Sequence, residues 1–211
     1  VFERAKEDIE VFSLRKSPTV SVAAYFAKTL MGKDTHDNRI VAFAYFLAKS
    51  MNLKNEIELA DLVVAAFLSH IGMTQLEKSV SLGPTVEFFE DTKRRYQKHP
   101  AITHHMLRKL KMDISTRCEE LIFDHHEREN GSGYPNGKMG SQMDLLTQIL
   151  GFSAHIFEYT GGKINSGKFS LNMVLRNIHT KNFIPGLEFD FTDKIIENIE
   201  SLLITEKREA A

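Results

Sequence analysis

Apolar residues recur at helical spacing along most of the chain. Near the C-terminal end Ile195, Ile196, Ile199, Leu202 and Leu203 form one stripe, as expected for one face of a helix. Runs that alternate strictly between apolar and polar residues, as half-buried strands do, are not found in the sequence. The pattern predicts an all-α bundle. Its helices are expected near residues 2–15, 18–32, 35–52, 55–72, 84–97, 100–111, 115–128, 142–160, 170–180 and 192–205.

Several residues mark where these helices begin. Pro18 and Pro100 suit the first turn of a helix, where the missing N–H is not needed. Asp34 or Thr35, and Ser170 further along, can accept hydrogen bonds from exposed N–H groups of a first turn. These positions therefore predict helix starts.

One predicted helix is apolar on almost every face. From Leu59 to Leu68 the only charged residue is Asp61. A helix without a polar face is expected at the centre of a bundle. The segment that follows it, Ser69–Gly72, is therefore predicted to lie deep in the protein.

Composition narrows the range of partners. With 211 residues and 42% hydrophobic residues, the chain can form one compact domain. The net charge is −1, from 27 basic and 28 acidic residues, so no overall field attracts nucleic acid or an anionic membrane. The basic clusters Lys93–Arg95 and Arg108–Lys111 are interpreted as solvated helix faces.

A single cysteine, Cys118, cannot form an internal disulfide. We expect it to be buried, in a protein of the reducing cytoplasm. No apolar run is expected to reach the roughly 20 residues that span a bilayer. Because the first residue is Val1 rather than methionine, the sequence is interpreted as part of a longer protein.

Five of the nine histidines are predicted near helix ends or in apolar helical surroundings. They are His36, His70, His99, His125 and His126. Imidazole is a common ligand of zinc and iron, and a helical bundle can hold a metal between facing helices. For any one of these histidines, a hydrogen-bonded structural role is the more common case, and the adjacent pair His125-His126 before a glycine-rich loop favours a ligand role. Their spacing alone leaves both interpretations open.

A longer motif surrounds the last two histidines. His125–Arg128 and the following Asn130–Pro135 closely resemble the HD-GYP signature, HHE followed by DGxGYP, with Asn130 in place of the aspartate. Other family motifs follow in order along the chain: His36-x-x-Arg39, the LHDIG-like Leu68–Gly72, His99-Pro100 and Phe189-Asp190.

The resemblance implies an HD-domain-like helical bundle with a GYP loop over residues 33–211. Residues 1–32 are then an N-terminal helical segment or a linker from a preceding domain. It also implies a place in bacterial cyclic di-GMP signalling, with a preceding sensory domain or a signalling protein as partner. A homodimer is compatible with this assignment.

Several metal-binding positions of the family are replaced. HD-GYP proteins use two or three metals, but the HD dyad here reads Ser69-His70. A neutral imidazole has one lone pair and does not ordinarily bridge two cations, as an aspartate can. An ungapped match places Ala154 at the family's later aspartate, whereas a slip of one residue places His155 there. Met73 replaces a lysine, and Gly32 replaces the carboxylate of trinuclear members.

By this resemblance, one divalent metal (iron, zinc or manganese) is expected on His70, His99, His125 and His126. The resemblance implies a second metal position in the family, and of its ligands only His36 remains in this chain. The alternative is a metal-free relic of the site, within which the histidines are held by hydrogen bonds and Met73 and Ala154 fill space.

The resemblance also implies residues for ligand binding. Arg128, Tyr134 and Lys138 lie on or beside the loop, and Lys163 lies where the family grips phosphate, with Lys168 nearby. Equally, the loop can serve only to close the bundle.

Three functions remain open. The first is a regulatory domain with impaired catalysis, which acts through protein contacts or bound cyclic di-GMP. The second is an active, metal-dependent cyclic di-GMP phosphodiesterase with an unusual, mononuclear site. The third is a helical dimerisation module with neither ligand nor metal, to which residues 2–32 contribute a helix.

Overall fold

The computed structural model describes residues 18–35 and 38–177 together with Glu7 and Ile9; for residues 32–35, 38 and 176 it describes the backbone only. The described residues are helical and contain no strand, so the predicted all-α fold is confirmed. The helices are α1 (Pro18–Thr35), α2 (Asn38–Ser50), α3 (Glu56–Leu68), α4 (Lys78–Leu82), α5 (Glu90–Tyr96), α6 (His99–Lys109), α7 (Thr116–Asp124), α8 (Leu145–Thr160) and α9 (Leu171–Asn177). Short 3-10 turns span Ile71–Gln75, Thr85–Glu87 and Gly140–Gln142.

Helix α3 lies at the centre of the bundle, as its sequence predicts. It packs against α1, α2, α7 and α8, and its residues from Leu62 to Leu68 are all buried. Asn55 caps its first turn by accepting a hydrogen bond from the Ile57 N–H at 3.0 Å. Asp61, the charged residue within the apolar stretch Leu59–Leu68, accepts a hydrogen bond from the Ser115 hydroxyl at 2.7 Å. The apolar faces of α3 therefore form the core around which the site is built.

The central segment also corrects one expectation. Glu56–Gln75 is long and apolar enough to cross a membrane, with a mean hydropathy of 1.5 over its most apolar window, although no such run was expected from the sequence. In the fold, 72% of that window is buried. Its position in the protein core accounts for its hydropathy.

Some predicted boundaries are wrong. The helix expected at 55–72 ends at Leu68, and the one expected at 84–97 is a 3-10 turn followed by α5. The short α4 was not predicted. Helix α1 continues through Thr35, where a new helix was expected to start, so α2 begins only at Asn38.

Other expectations are confirmed. Helix α1 begins at Pro18, Pro100 lies in the first turn of α6, and the Ser170 hydroxyl accepts a hydrogen bond from the Met173 N–H at 3.2 Å. Cys118 is buried, and both basic clusters lie exposed on their helices. The predicted helices at 2–15 and 192–205 lie outside the described residues, apart from Glu7 and Ile9.

Helix α1 crosses the domain boundary predicted at residue 32. Val20, Ala23 and Ala27 on this helix are fully buried in the core. The first described helix is therefore packed into the same bundle as the histidines. The division at residue 32 stays a prediction.

Candidate metal centre

Four imidazoles meet in the core of the bundle. His70, His99, His125 and His126 each offer a ring nitrogen, and these four nitrogens lie within 4.8 Å of one another. All four side chains are buried. The structure therefore brings together the four residues named from the sequence, while metal binding by them stays a prediction. His36 and Phe189-Asp190 lie outside the described residues.

His70 is placed by the turn that ends α3. The Thr103 hydroxyl of α6 donates a hydrogen bond to the Ser69 carbonyl at 3.0 Å and accepts one from the Gly72 N–H at 2.9 Å. Gly72 is required here because a Cβ at this position would lie 2.3 Å from the carbonyl oxygen of His99. This close contact stacks the His70 ring on that of His99, with centroids 5.3 Å apart.

Hydrogen bonds to the backbone fix the tautomers of His99 and His125. The Nδ1 of His99 lies 2.9 Å from the Tyr96 carbonyl oxygen, and the Nδ1 of His125 lies 2.7 Å from that of Ile122. A carbonyl oxygen can only accept, so each Nδ1 carries the proton and each Nε2 keeps a bare lone pair.

The two Nε2 atoms then face each other at 3.4 Å, and neither can donate to the other. Two nitrogens bound to one tetrahedral zinc ion, at bonds of about 2.1 Å, stand about 3.4 Å apart. The spacing of the two nitrogens therefore suits two ligands of one metal ion. The hydrogen bonds from Nδ1 to the backbone orient the two rings, as such outer hydrogen bonds do for ligand histidines in metal sites.

Burial keeps three of these imidazoles neutral. It lowers the pKa of His99 to about 3, with His70 contributing, and it lowers the pKa values of His125 and His126 well below the ordinary value. A neutral imidazole is the form that binds metal. The rings are thus in the ligating state near neutral pH.

The GYP loop covers one side of the cluster. The Tyr134 ring stacks on the His126 ring, with centroids 4.6 Å apart and planes at 17°. The buried Glu127 carboxylate shapes the loop by accepting hydrogen bonds from the N–H groups of Asn136 (2.7 Å) and Lys138 (2.8 Å). The loop thus places an aromatic ring directly against a candidate ligand.

A carboxylate that the sequence analysis did not single out also reaches the cluster. Glu158 Oε1 lies 3.5 Å from His70 Nε2 and 3.8 Å from His126 Nε2, and it accepts a hydrogen bond from the Tyr96 hydroxyl at 2.6 Å. Burial by itself raises the pKa of Glu158. The interactions of Glu158 with His70 and Tyr96 lower this pKa by more than burial raises it, so the pKa lies well below its usual range. The carboxylate is therefore ionised.

A signal for Glu158 exists in the sequence. It follows Ala154 by four residues, which places both on one face of α8. His155 instead accepts a hydrogen bond from Arg128 through Nδ1 at 3.0 Å. Which of Ala154 and His155 stands at the position of the family's later aspartate stays a prediction.

The cations named as ligand-binding residues have protein partners. Arg128 is buried and donates to the Glu127 carbonyl at 2.8 Å in addition to its bond with His155. Lys138 pairs with Asp124 at 2.5 Å. Their role in ligand binding stays a prediction, and any ligand must share them with these partners.

Lys163 closes the end of α4. Its ammonium donates hydrogen bonds to the carbonyls of Val80 (2.9 Å), Ser81 (3.1 Å) and Gly83 (2.6 Å). It also lies 4.5 Å from the centre of the Tyr96 ring. Burial lowers the pKa of Lys163 to about 8, while Glu158 opposes this shift. The side chain thus caps a helix end.

We expect Lys163→Met to lower the free energy of unfolding by about 1–3 kcal/mol, because it leaves three partly buried carbonyls without their charged donor. Chemical denaturation measures this change. Lys168→Met, at an exposed position nearby, is the control and should have little effect. Equal stability of the two variants would contradict the capping role.

A cavity of about 900 Å³ opens beside the cluster. His70 and Glu158 form part of its wall, and cationic side chains of Arg39, Lys163 and Lys168 also line it. Met73 lies in this wall, at the position where the family has a lysine. The cavity gives a ligand of moderate size a route to one side of the histidine cluster.

The fold and this cluster agree with comparisons to known proteins. The HD domain family matches residues 22–180, so the chain belongs to the HD domain family. Its resemblance to the HD-GYP proteins within that family is confirmed.

Two curated relatives are informative. The chain is 25% identical over 183 residues to the 3'3'-cGAMP-specific phosphodiesterase 1 of Vibrio cholerae, covering 85% of this chain and 42% of the relative. It is 30% identical over 112 residues to the cyclic di-GMP phosphodiesterase response regulator RpfG of Xanthomonas campestris, covering 53% of this chain and 29% of the relative. The chain thus spans less than half the length of either relative.

A solved structure shares the fold. An HDG"Y"P protein from Bdellovibrio bacteriovorus superimposes with a TM-score of 0.65 at 16% identity, covering 96% of this chain and 66% of that one.

Proposed function

We propose that this chain is a regulatory HD-GYP-type domain of cyclic-dinucleotide signalling. In this proposal it holds one divalent metal on His70, His99, His125 and His126 and is impaired in hydrolysis. It acts through a bound cyclic dinucleotide, cyclic di-GMP being the first to test, or through a protein partner. The two curated relatives, both named as cyclic-dinucleotide phosphodiesterases, support this signalling context.

The scarcity of carboxylates at the cluster carries the proposal. Among the described residues, Glu158 is the carboxylate that approaches the four imidazoles, and its oxygen is already bonded to Tyr96. Two divalent cations bring four positive charges, and a buried site needs anionic groups to balance them. With one carboxylate, the residues fit one metal better than two.

A single bound metal would supply Lewis acidity and lower the pKa of a bound water. Two metals stabilise both the attacking and the leaving oxygen in phosphodiester hydrolysis, which one metal does less effectively. Ser69 and His70 lie where the family's catalytic dyad stands, and neither offers a bridging carboxylate. Little or no hydrolysis is expected from this residue set.

An active phosphodiesterase with a mononuclear site is the second candidate. The cavity of about 900 Å³ favours it, because this space reaches His70 and Glu158 and carries cations suited to phosphate. In this case the substrate would approach the metal from the cavity.

Two measurements on the same anaerobically purified, tag-free chain test the proposal. Elemental mass spectrometry is expected to find about one metal ion per chain. Chromatography after incubation with cyclic di-GMP or 3'3'-cGAMP, with manganese, iron or zinc supplied, is expected to show no linear dinucleotide and no mononucleotide. Turnover that disappears in His125→Ala would establish an enzyme instead, and two metals per chain would contradict the mononuclear site and favour the phosphodiesterase alternative.

A further inference from the structure

Glu158 differs from the four histidines in its charge and in the helix that carries it. It lies on α8, near the end of that helix, whereas the histidines come from the turn after α3, the start of α6 and the end of α7. Its Oε1 is near the Nε2 atoms of His70 and His126, which have no hydrogen-bond partner among the described residues. Two buried imidazole nitrogens and a carboxylate oxygen therefore face one small space.

The charge of the cluster requires an anion when a metal binds. Four neutral imidazoles around a divalent cation leave two positive charges among four buried side chains, with the cavity opening on the His70 side. An uncompensated buried charge is strongly unfavourable. The Glu158 carboxylate, with its Oε1 3.5 Å from His70 Nε2 and 3.8 Å from His126 Nε2, is placed to balance one of these charges.

The carboxylate is also oriented for this role. The Tyr96 hydroxyl holds Oε1 at 2.6 Å. An ionised carboxylate has about four lone-pair positions, so a single hydrogen bond leaves the others open for coordination. Both zinc and ferrous iron accept carboxylate oxygen together with imidazole nitrogen.

We infer that Glu158 is the anionic ligand of a mononuclear site made of four imidazoles and one carboxylate. This inference rests on the proposed metal-binding function and extends it. Glu158 then stands in place of the aspartates that the chain lacks at His70 and Ala154. Because Glu158 also lines the cavity, it lies between the metal position and any anion that enters from that side.

Zinc affinity, measured by competition with a chromophoric chelator, tests the inference. Glu158→Gln keeps the shape of the side chain and removes its charge, and we expect it to lower zinc affinity by about 10–100-fold. Glu120→Gln removes a charge from an exposed position on α7 and should leave the affinity unchanged. Glu158→Asp keeps the charge and should retain more affinity than Glu158→Gln.

The visible spectrum of the cobalt-substituted protein distinguishes direct coordination of the metal by Glu158 from a general effect of charge or folding. In the cobalt-substituted protein, Glu158→Gln should shift and intensify the visible bands as the carboxylate leaves the metal, whereas Glu120→Gln should not. Circular dichroism of each variant in chelator checks that the bundle is folded.

The outcomes distinguish the two proposals. Unchanged zinc affinity and an unchanged cobalt spectrum in Glu158→Gln would overturn the role of Glu158 and leave the four-histidine site in place. A wild-type chain that binds neither zinc nor cobalt would overturn both.

Discussion

Replacing His125 by alanine is expected to lower metal affinity by more than about a hundredfold, beyond the range typical for loss of an outer-shell partner. The change removes a fully buried imidazole whose Nε2 is fixed as a lone pair by the bond from Nδ1 to the Ile122 carbonyl. It also removes the 3.4 Å nitrogen pair with His99 that matches a tetrahedral metal. Elemental analysis and chelator competition measure the loss.

His105→Ala is the matched control for this prediction. His105 lies exposed on α6 and is not part of the cluster, so its removal should leave metal content unchanged. Circular dichroism separates loss of metal from loss of fold. A folded His125→Ala variant that keeps the wild-type metal affinity would eliminate the four-histidine site and favour a hydrogen-bonded relic.

Substitution of Gly72 is expected to have the largest effect on stability. In Gly72→Ala, the new Cβ would lie 2.3 Å from the His99 carbonyl oxygen and 2.7 Å from the Thr103 hydroxyl oxygen. The turn after α3 must then move away from α6. We expect a loss of about 3 kcal/mol in unfolding free energy, measured by denaturant titration.

The same movement should separate His70 from His99, so metal affinity should fall by at least about tenfold. Gly167→Ala is the control, because its Cβ would meet only ring atoms of the Phe169 side chain closely, at 3.0 and 3.2 Å. If Gly72→Ala and Gly167→Ala are equally stable and bind metal alike, the close contact between the turn and α6 does not position His70.

The histidine cluster could be predicted because its members are marked locally in the sequence. His70 follows an apolar helix, His99 precedes a helix-starting proline, and His125-His126 precede a glycine-rich loop. Each signal places a histidine at a helix end. The family motifs, in the same order along the chain, supply the expectation that these ends meet.

Other parts of the site depend on contacts between distant segments. The sequence marks Lys163 only as a cation after α8, but the carbonyls it binds belong to residues about 80 positions earlier. Whether Glu158 reaches the histidines depends on how α8 is rotated about its own axis. Packing against other helices sets this rotation, and the local sequence pattern does not. The break after Leu68 likewise arises where the chain turns to reach Thr103, although its residues suit a continuing helix.

His99 and His125 are close in space, with their Nε2 atoms 3.4 Å apart, although they are distant along the chain. The two residues are 26 positions apart, so a metal held by both closes a loop that contains α6 and α7. Such a link acts like a covalent cross-link, because it removes extended conformations from the unfolded chain. Metal occupancy would therefore set how firmly these two helices stay together, and through them how rigid a surface the domain presents to other proteins.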